Sequence, residues 1–235
     1  MQPHTQTQPN TQSPPQIDTP QQHIPWWQGL AEVAYTQLRL PTIETITLHP
    51  FDVVVIGGGV AGLSAALSAR QAGASVLVLE REAMLGCGAT GRNAGILSAG
   101  INMHLVDLPL DGPEAAFWPA TTKMLLSLVH EATQPDALIS ASLTGAISLA
   151  ESASAARKLA REARARVQMG LHAEMWTAAQ VAEATDGRLN TQPVVSALWL
   201  PDEGRLQPLT LLAHLAQKAR AIGVQFAGQA EAIST

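Results

Sequence analysis

Cysteine is almost missing from this 235-residue chain, where Cys87 stands alone. A single thiol closes no intrachain disulfide and builds no cysteine zinc site, a usage consistent with a reducing, cytoplasmic compartment. Charge is sparse as well, at 14% of residues, and its balance is acidic, −5 overall. That balance gives no basis for nucleic-acid binding or for attraction to an anionic membrane. No basic N-terminal stretch leads into an apolar core, so no secretory signal is expected. The uncharged stretch from Val53 to Ala69 is shorter than the roughly 20 residues of a membrane span, and glycines interrupt it. What remains is a globular composition, 46% apolar, in a chain long enough for one or two domains.

The stretch Phe51 to Glu80, FDVVVIGGGVAGLSAALSARQAGASVLVLE, organises the chain. Val53 to Ile56 is a β-branched run suited to a fully buried parallel strand. Gly57-Gly58-Gly59-Val60-Ala61-Gly62 then turns into a helix whose small residues Gly62, Ala66, Ala69 and Gly73 share one face. A second apolar run, Val76 to Leu79, ends in Glu80. Strand, G-x-G-x-x-G turn, helix, strand and terminal acid is the order in which a dinucleotide is held. Gly57 permits the tight turn, Gly59 lets a pyrophosphate approach, and Gly62 allows close packing of helix on strand, while the first helical N–H groups face the phosphates. Glu80 is placed to accept hydrogen bonds from a ribose diol, and would repel the 2′-phosphate of NADP.

On either side of this unit the chain is less regular. Met1 to about Gln22 is rich in Gln, Pro and Thr and has little to bury, which predicts a flexible tail. The adjacent Trp26 and Trp27 are costly to leave in water and must dock. Gly29 to Leu48 reads as a short helix and an extended arm. After Glu80, the loop Gly86-Cys87-Gly88-Ala89-Thr90-Gly91-Arg92-Asn93-Ala94-Gly95 suits close backbone wrapping of a ligand, with Arg92 a candidate partner for phosphate or carboxylate.

Together VVVIGGGVAGLSAAL, VLVLERE and GCGATGRNAGIL resemble the D-amino-acid oxidase-like (DAO) family of FAD-dependent oxidoreductases, which includes glycine oxidase and sarcosine oxidase. The resemblance implies an α/β fold: a Rossmann-like FAD-binding domain with a parallel sheet, plus part of an inserted α+β substrate domain. It places Gly57, Gly59, Val60, Ala61 and Gly62 at the pyrophosphate of FAD, Glu80 on the ribose and Arg81 beside the adenine. Ala89, Thr90, Arg92, Asn93, Ala94 and Gly95 would line the route to the isoalloxazine, and Ala232 would offer the adenine a backbone contact. A plain NAD fold has no need of the second loop, which disfavours an NAD-dependent enzyme.

Beyond the loop, Pro119 to Ala132 is expected as a helix with Thr121, Met124, Leu125, Leu128 and Ala132 on one side. Glu151 to Met169 is a strong helix whose Leu159, Ala163 and Val167 form an apolar line, opposite a solvated face of Arg157, Arg161 and Arg164 with Glu162 interspersed. Ala178 to Ala184 is a short helix, and Thr144 to Leu149 and Val194 to Leu200 are strands. A Pro201-Asp202-Glu203-Gly204 turn precedes a helix that starts at Pro208 and stops at Gly223, and Val224 to Phe226 returns as a strand. The expected division is a tail (1–28), a first part of the FAD-binding domain (29–100), a partial substrate domain (101–200) and a return to the FAD-binding domain (201–235). The resemblance ends little more than halfway through the family pattern, so no residue is assigned as catalytic and none as a metal ligand. His104 is read as a polar loop residue, Cys87 as an incidental small one. The function implied is oxidation of the C–N bond of a small amine or amino acid by hydride transfer to flavin. The alternative is a non-catalytic nucleotide-binding subunit or remnant that needs a second polypeptide to complete its fold.

Overall fold

The computed structural model describes residues 24–46, 49–101 and 103–233. The first 23 residues of the expected tail lie outside them, whereas Pro25–Trp27 form a turn of 3-10 helix. Along the chain follow α1 (Glu32–Leu38), β1 (Val53–Ile56), α2 (Val60–Gln71), β2 (Val76–Leu79) and β3 (Ile96–Leu97). Next come α3 (Phe117–Ala132), β4 (Ala141–Leu143), β5 (Ala146–Ala150), α4 (Ala153–Gln168), β6 (Glu174–Trp176) and α5 (Ala178–Ala184). The described chain closes with β7 (Ser196–Leu200), β8 (Gly204–Leu206), α6 (Pro208–Ala221) and β9 (Gln225–Ala227). Among the described residues no helix is long and apolar enough to cross a membrane.

Among the described residues three sheets result. β1, β2 and β9 form a parallel sheet in the order β1-β2-β9, with Val53 opposite Val76 and Leu77 opposite Gln225. The other two are antiparallel, β3-β8-β4 and β5-β7-β6. The return strand β8 therefore lies between the strand that follows the glycine loop and a strand that follows α3, so one short segment ties both regions together.

The main core forms where α6 meets α1, α2 and the parallel sheet. Leu209, Leu212, Ala213, Ala216 and Ala219 of α6 are all 0% exposed, because they recur at helical spacing on one side. Burying each leucine contributes about 2 kcal/mol of transfer free energy. Gln207 fixes where this helix begins: its Oε1 accepts from Leu209 N and Thr210 N at 2.6 and 3.1 Å, and Pro208 follows at the first helical position. Gly223, at φ +87°, ends it. α5 begins with a reciprocal cap between Thr177 and Gln180, which explains why so short a helix keeps sharp bounds.

Three expectations need correction. β1 is not fully buried: Val54 and Ile56 are 49% and 57% exposed, because β1 is the edge of its sheet and only one of its faces is covered. In α3 the buried side is Trp118, Thr122 and Leu125, while Met124 points outward. The large Trp118 sets the rotation of the helix by packing with Leu105, Ala115, Ala165 and Leu171. In α4, Arg157, Arg161 and Arg164 are exposed as expected, but Glu162 is buried at 1% exposure and Val167 is exposed. Glu162 tolerates burial because Arg166 Nε donates to its Oε1 at 2.8 Å and Val106 N to its Oε2 at 2.8 Å. Arg166 also reaches Glu203 at 3.3 Å, and the net burial of that carboxyl pushes its pKa above the usual carboxylate range.

Candidate cofactor cleft

The turn after β1 is shaped by its glycines. Gly57 has φ +97°, a conformation side chains rarely adopt, and its N–H donates to Leu79 O at 2.8 Å across the parallel pair. A Cβ on Gly62 would lie 2.0 Å from the Gly57 carbonyl oxygen, so α2 can start this close to β1 only with glycine there. The first N–H groups of a helix have no intrahelical partner. Here Val60 N donates to Thr90 Oγ1 at 3.1 Å, and the first bond within the helix is Leu63 N to Gly59 O. The N–H groups of Ala61 and Gly62 remain available to an anion, assisted by the positive end of the helix dipole.

Glu80 is held rather than loose. Its Oε2 accepts from Gly58 N at 2.8 Å and its Oε1 from Glu82 N at 3.2 Å. Each carboxylate oxygen can accept twice, so both retain capacity for a hydroxyl donor. The strand end is itself anchored, because Glu80 N donates to Ala227 O at 2.8 Å and Ala230 N to Glu80 O at 2.9 Å.

The second glycine loop repeats the geometry of the first. Gly86 has φ +85°, and a Cβ on Gly91 would lie 2.0 Å from the Gly86 carbonyl oxygen, matching the Gly57 and Gly62 relation. The sequence Gly86-Cys87-Gly88-Ala89-Thr90-Gly91 has G-x-G-x-x-G spacing, a signal that could have marked the whole turn as lining the site. Cys87 is buried beneath it, and its Sγ lies 3.4 Å from Met84 O. Burial, with Glu82 and Glu80 nearby, pushes its thiol up to about 11, so it holds no reactive thiolate at neutral pH.

Between the two loops lies a cleft of about 600 Å³, a size suited to a small-molecule ligand. Of the expected residues, Gly57, Gly59, Val60, Ala61, Glu80, Arg81, Ala89, Thr90 and Ala232 line it. Gly86 and Gly88, of the loop expected to wrap a ligand, line it as well, together with Ile56, Leu79, Glu82, Ala230 and Glu231, which were not singled out as site residues. Asn93 and Ala94 line an adjoining, mainly apolar hollow of about 360 Å³ with Ile96, Leu206, Pro208 and Leu211. Val60 and Thr90 belong to both, so the two hollows are neighbours along one route. Gly62, Arg92 and Gly95 line neither. Gly62 packs against Gly57, Arg92 is exposed, and Gly95 (φ +69°) packs between Leu206 O and the ring of Trp26. The arrangement fits an adenine dinucleotide: free helical amides for phosphate, a fixed carboxylate for a ribose, and an apolar extension for a flat ring. Among the described residues no group of three or more His, Cys, Asp or Glu is arranged to hold a metal ion.

Comparison with known proteins agrees with this geometry. Residues 52–235 match the family model of the DAO FAD-dependent oxidoreductases. Gamma-glutamylputrescine oxidoreductase of Escherichia coli K12 is 42% identical over 88 residues, 37% of this chain and 18% of that protein. The tRNA 5-methylaminomethyl-2-thiouridine biosynthesis bifunctional protein MnmC of Magnetococcus marinus is 29% identical over 164 residues, 70% of this chain and 23% of that protein. Glycine oxidase from Geobacillus kaustophilus shares the fold at a TM-score of 0.63 and 22% identity, over 77% of this chain and 47% of that one. The chain thus spans less than half the length of each of these relatives. With the family model covering most of its length and its two glycine turns enclosing a dinucleotide-sized cleft, the chain belongs to the DAO family of FAD-dependent oxidoreductases.

Proposed function

We propose that this chain binds FAD through the residues named above and serves the oxidation of the C–N bond of a small amine or amino acid. The observation that carries the reading is the pairing of the α2 N-terminus with the fixed Glu80 carboxylate across one cleft. In this assignment Val60, Ala61 and the second loop from Ala89 hold the pyrophosphate, and Glu80 holds the ribose. Arg81 and Ala232 flank the adenine, and Asn93 and Ala94 border the ring. When bound, FAD supplies the hydride acceptor for the carbon bearing nitrogen. This chain's own residues bind and orient it, and the mainly apolar hollow at Ile96, Leu206 and Leu211 gives the ring a nonpolar wall to lie against.

Three of the relatives support the substrate class. One is named for gamma-glutamylputrescine, another for a methylaminomethyl group and a third for glycine, all amines or amino acids. The exposed edge of β1 and the outward-facing Val54 favour completion of the sheet by further polypeptide, within or beyond a single chain. The purified protein should carry flavin absorbance, and anaerobic addition of a small amine or amino acid should bleach it. A protein that binds flavin but is bleached by no such compound would leave only the nucleotide-binding role. A protein that takes up no flavin would refute the reading.

A further inference from the structure

The segment before the family match, residues 24–46, packs onto the second glycine loop from outside. Trp26 Nε1 donates to the carbonyl of Asn93 at 2.7 Å. Its ring lies over Gly95, so close that a Cβ there would come within 3.2 Å of it. The backbone of Trp26 is pinned in turn, since Gln207 Nε2 donates to its carbonyl at 2.7 Å while Gln207 Oε1 caps α6. At the other end of the loop, Trp27 approaches Gly86, and Leu40 N and Leu85 N bond Ala83 O and Leu38 O across the two segments.

From Trp26 a continuous path of hydrogen bonds runs to the phosphate end of α2. Asn93 Nδ2 donates to Thr90 O at 2.7 Å and its Oδ1 accepts from Gly95 N at 2.8 Å, which fixes the loop on itself. Thr90 Oγ1 then accepts from Val60 N at 3.1 Å. Pulling on one end therefore moves the other, because each link is a directional bond between adjacent residues.

We infer that the arm is a strap and that Trp26 is a positioning residue for FAD: its N–H and ring hold the Asn93 to Gly95 segment in the geometry that receives the flavin, without touching the cofactor. The inference rests on the FAD assignment above. Trp26→Phe removes the N–H and shortens the ring that covers Gly95, which weakens FAD binding at least about fivefold, the value of one modest hydrogen bond, and Trp26→Ala weakens it roughly thirtyfold by uncovering Gly95 fully.

The test uses the full chain, with FAD titrated into apoprotein and binding followed by flavin fluorescence, alongside amide exchange of the apoprotein. The strap predicts a raised Kd in W26F and faster exchange confined to residues 86–95, with the melting temperature of the apoprotein within about 2 °C of wild type. If wild type binds FAD and W26F binds it within twofold, the strap is refuted and the FAD assignment stands. Faster exchange spread over the whole parallel sheet would also refute it, by making Trp26 a general packing residue. If wild type binds no FAD, the cofactor assignment and the strap fall together.

Discussion

Replacing Gly62 by alanine puts the account of the phosphate turn under direct strain. The new Cβ would sit 2.0 Å from the Gly57 carbonyl oxygen and 3.4 Å from Val55 Cγ1. Contacts under 3.0 Å essentially never occur, so either α2 or the Gly57 turn must move by about 1 Å. Crowding of this kind costs about 1–3 kcal/mol. Alanine returns about 1 kcal/mol of helix propensity, which leaves a net loss of about 0–2 kcal/mol. For a chain of this size that is a fall of at most roughly 8 °C in melting temperature. The effect on FAD should be larger, because the displaced amides are those proposed to face the pyrophosphate. Loss of one or two charge-assisted hydrogen bonds, each about 1.5–3 kcal/mol, raises the Kd for FAD at least about tenfold. Gly91→Ala should behave alike, since its Cβ meets the Gly86 carbonyl at the same 2.0 Å. Gly170→Ala is the control: it has φ +76° and open space around it, so it should cost stability and leave FAD binding alone. Equilibrium urea unfolding gives the first quantity and fluorescence titration the second. An FAD Kd for Gly62→Ala within twofold of wild type would refute the reasoning.

Three further outcomes are expected. Glu80→Ala frees Gly58 N and Glu82 N and removes the ribose acceptor, so FAD affinity should drop by about tenfold or more in the same titration. Arg166→Ala leaves Glu162 and Glu203 as buried carboxylates without their cation, a loss of about 3–5 kcal/mol in urea unfolding at neutral pH. Glu131, which joins α3 to α6 through Lys218 and His214, has its pKa lowered first by the Lys218 hydrogen bond. A lowered folded pKa stabilises above the unfolded value near 4.5 and is lost as pH falls through the folded one. Glu131→Gln should therefore cost at most about 1 kcal/mol near pH 7, and the gap to wild type should close as unfolding is measured at progressively more acid pH.

The first Rossmann-like unit was legible because each of its signals is local. Val53 to Ile56, the Gly57 to Gly62 turn and Val76 to Leu79 fold where periodicity and glycine spacing place them. The Thr177 to Gln180 cap and Gly223 are similarly short-range, so α5 and the end of α6 fall close to expectation. What stayed hidden depends on partners remote in sequence. The exposure of Val54 and Ile56 follows from the β1-β2-β9 order, which no residue within β1 encodes. Glu162 is buried because Val106 and Arg166 complete its bonds and Glu203 balances the arginine, a grouping assembled from three separate segments. The docking of Trp26 could be anticipated from its cost in water, but its seat on Asn93 could not. In the cleft, Ala230 and Glu231 lie past β9 beside Ala232, the single position there that the resemblance marks.

A crystal structure of the protein soaked with FAD tests the central claim most directly. The account predicts the pyrophosphate within about 3 Å of the amides at the start of α2 and a ribose hydroxyl at the same distance from Glu80, with the ring over Asn93 and Ala94. An FAD bound elsewhere, or seated in the cleft with its ribose away from Glu80, would contradict it.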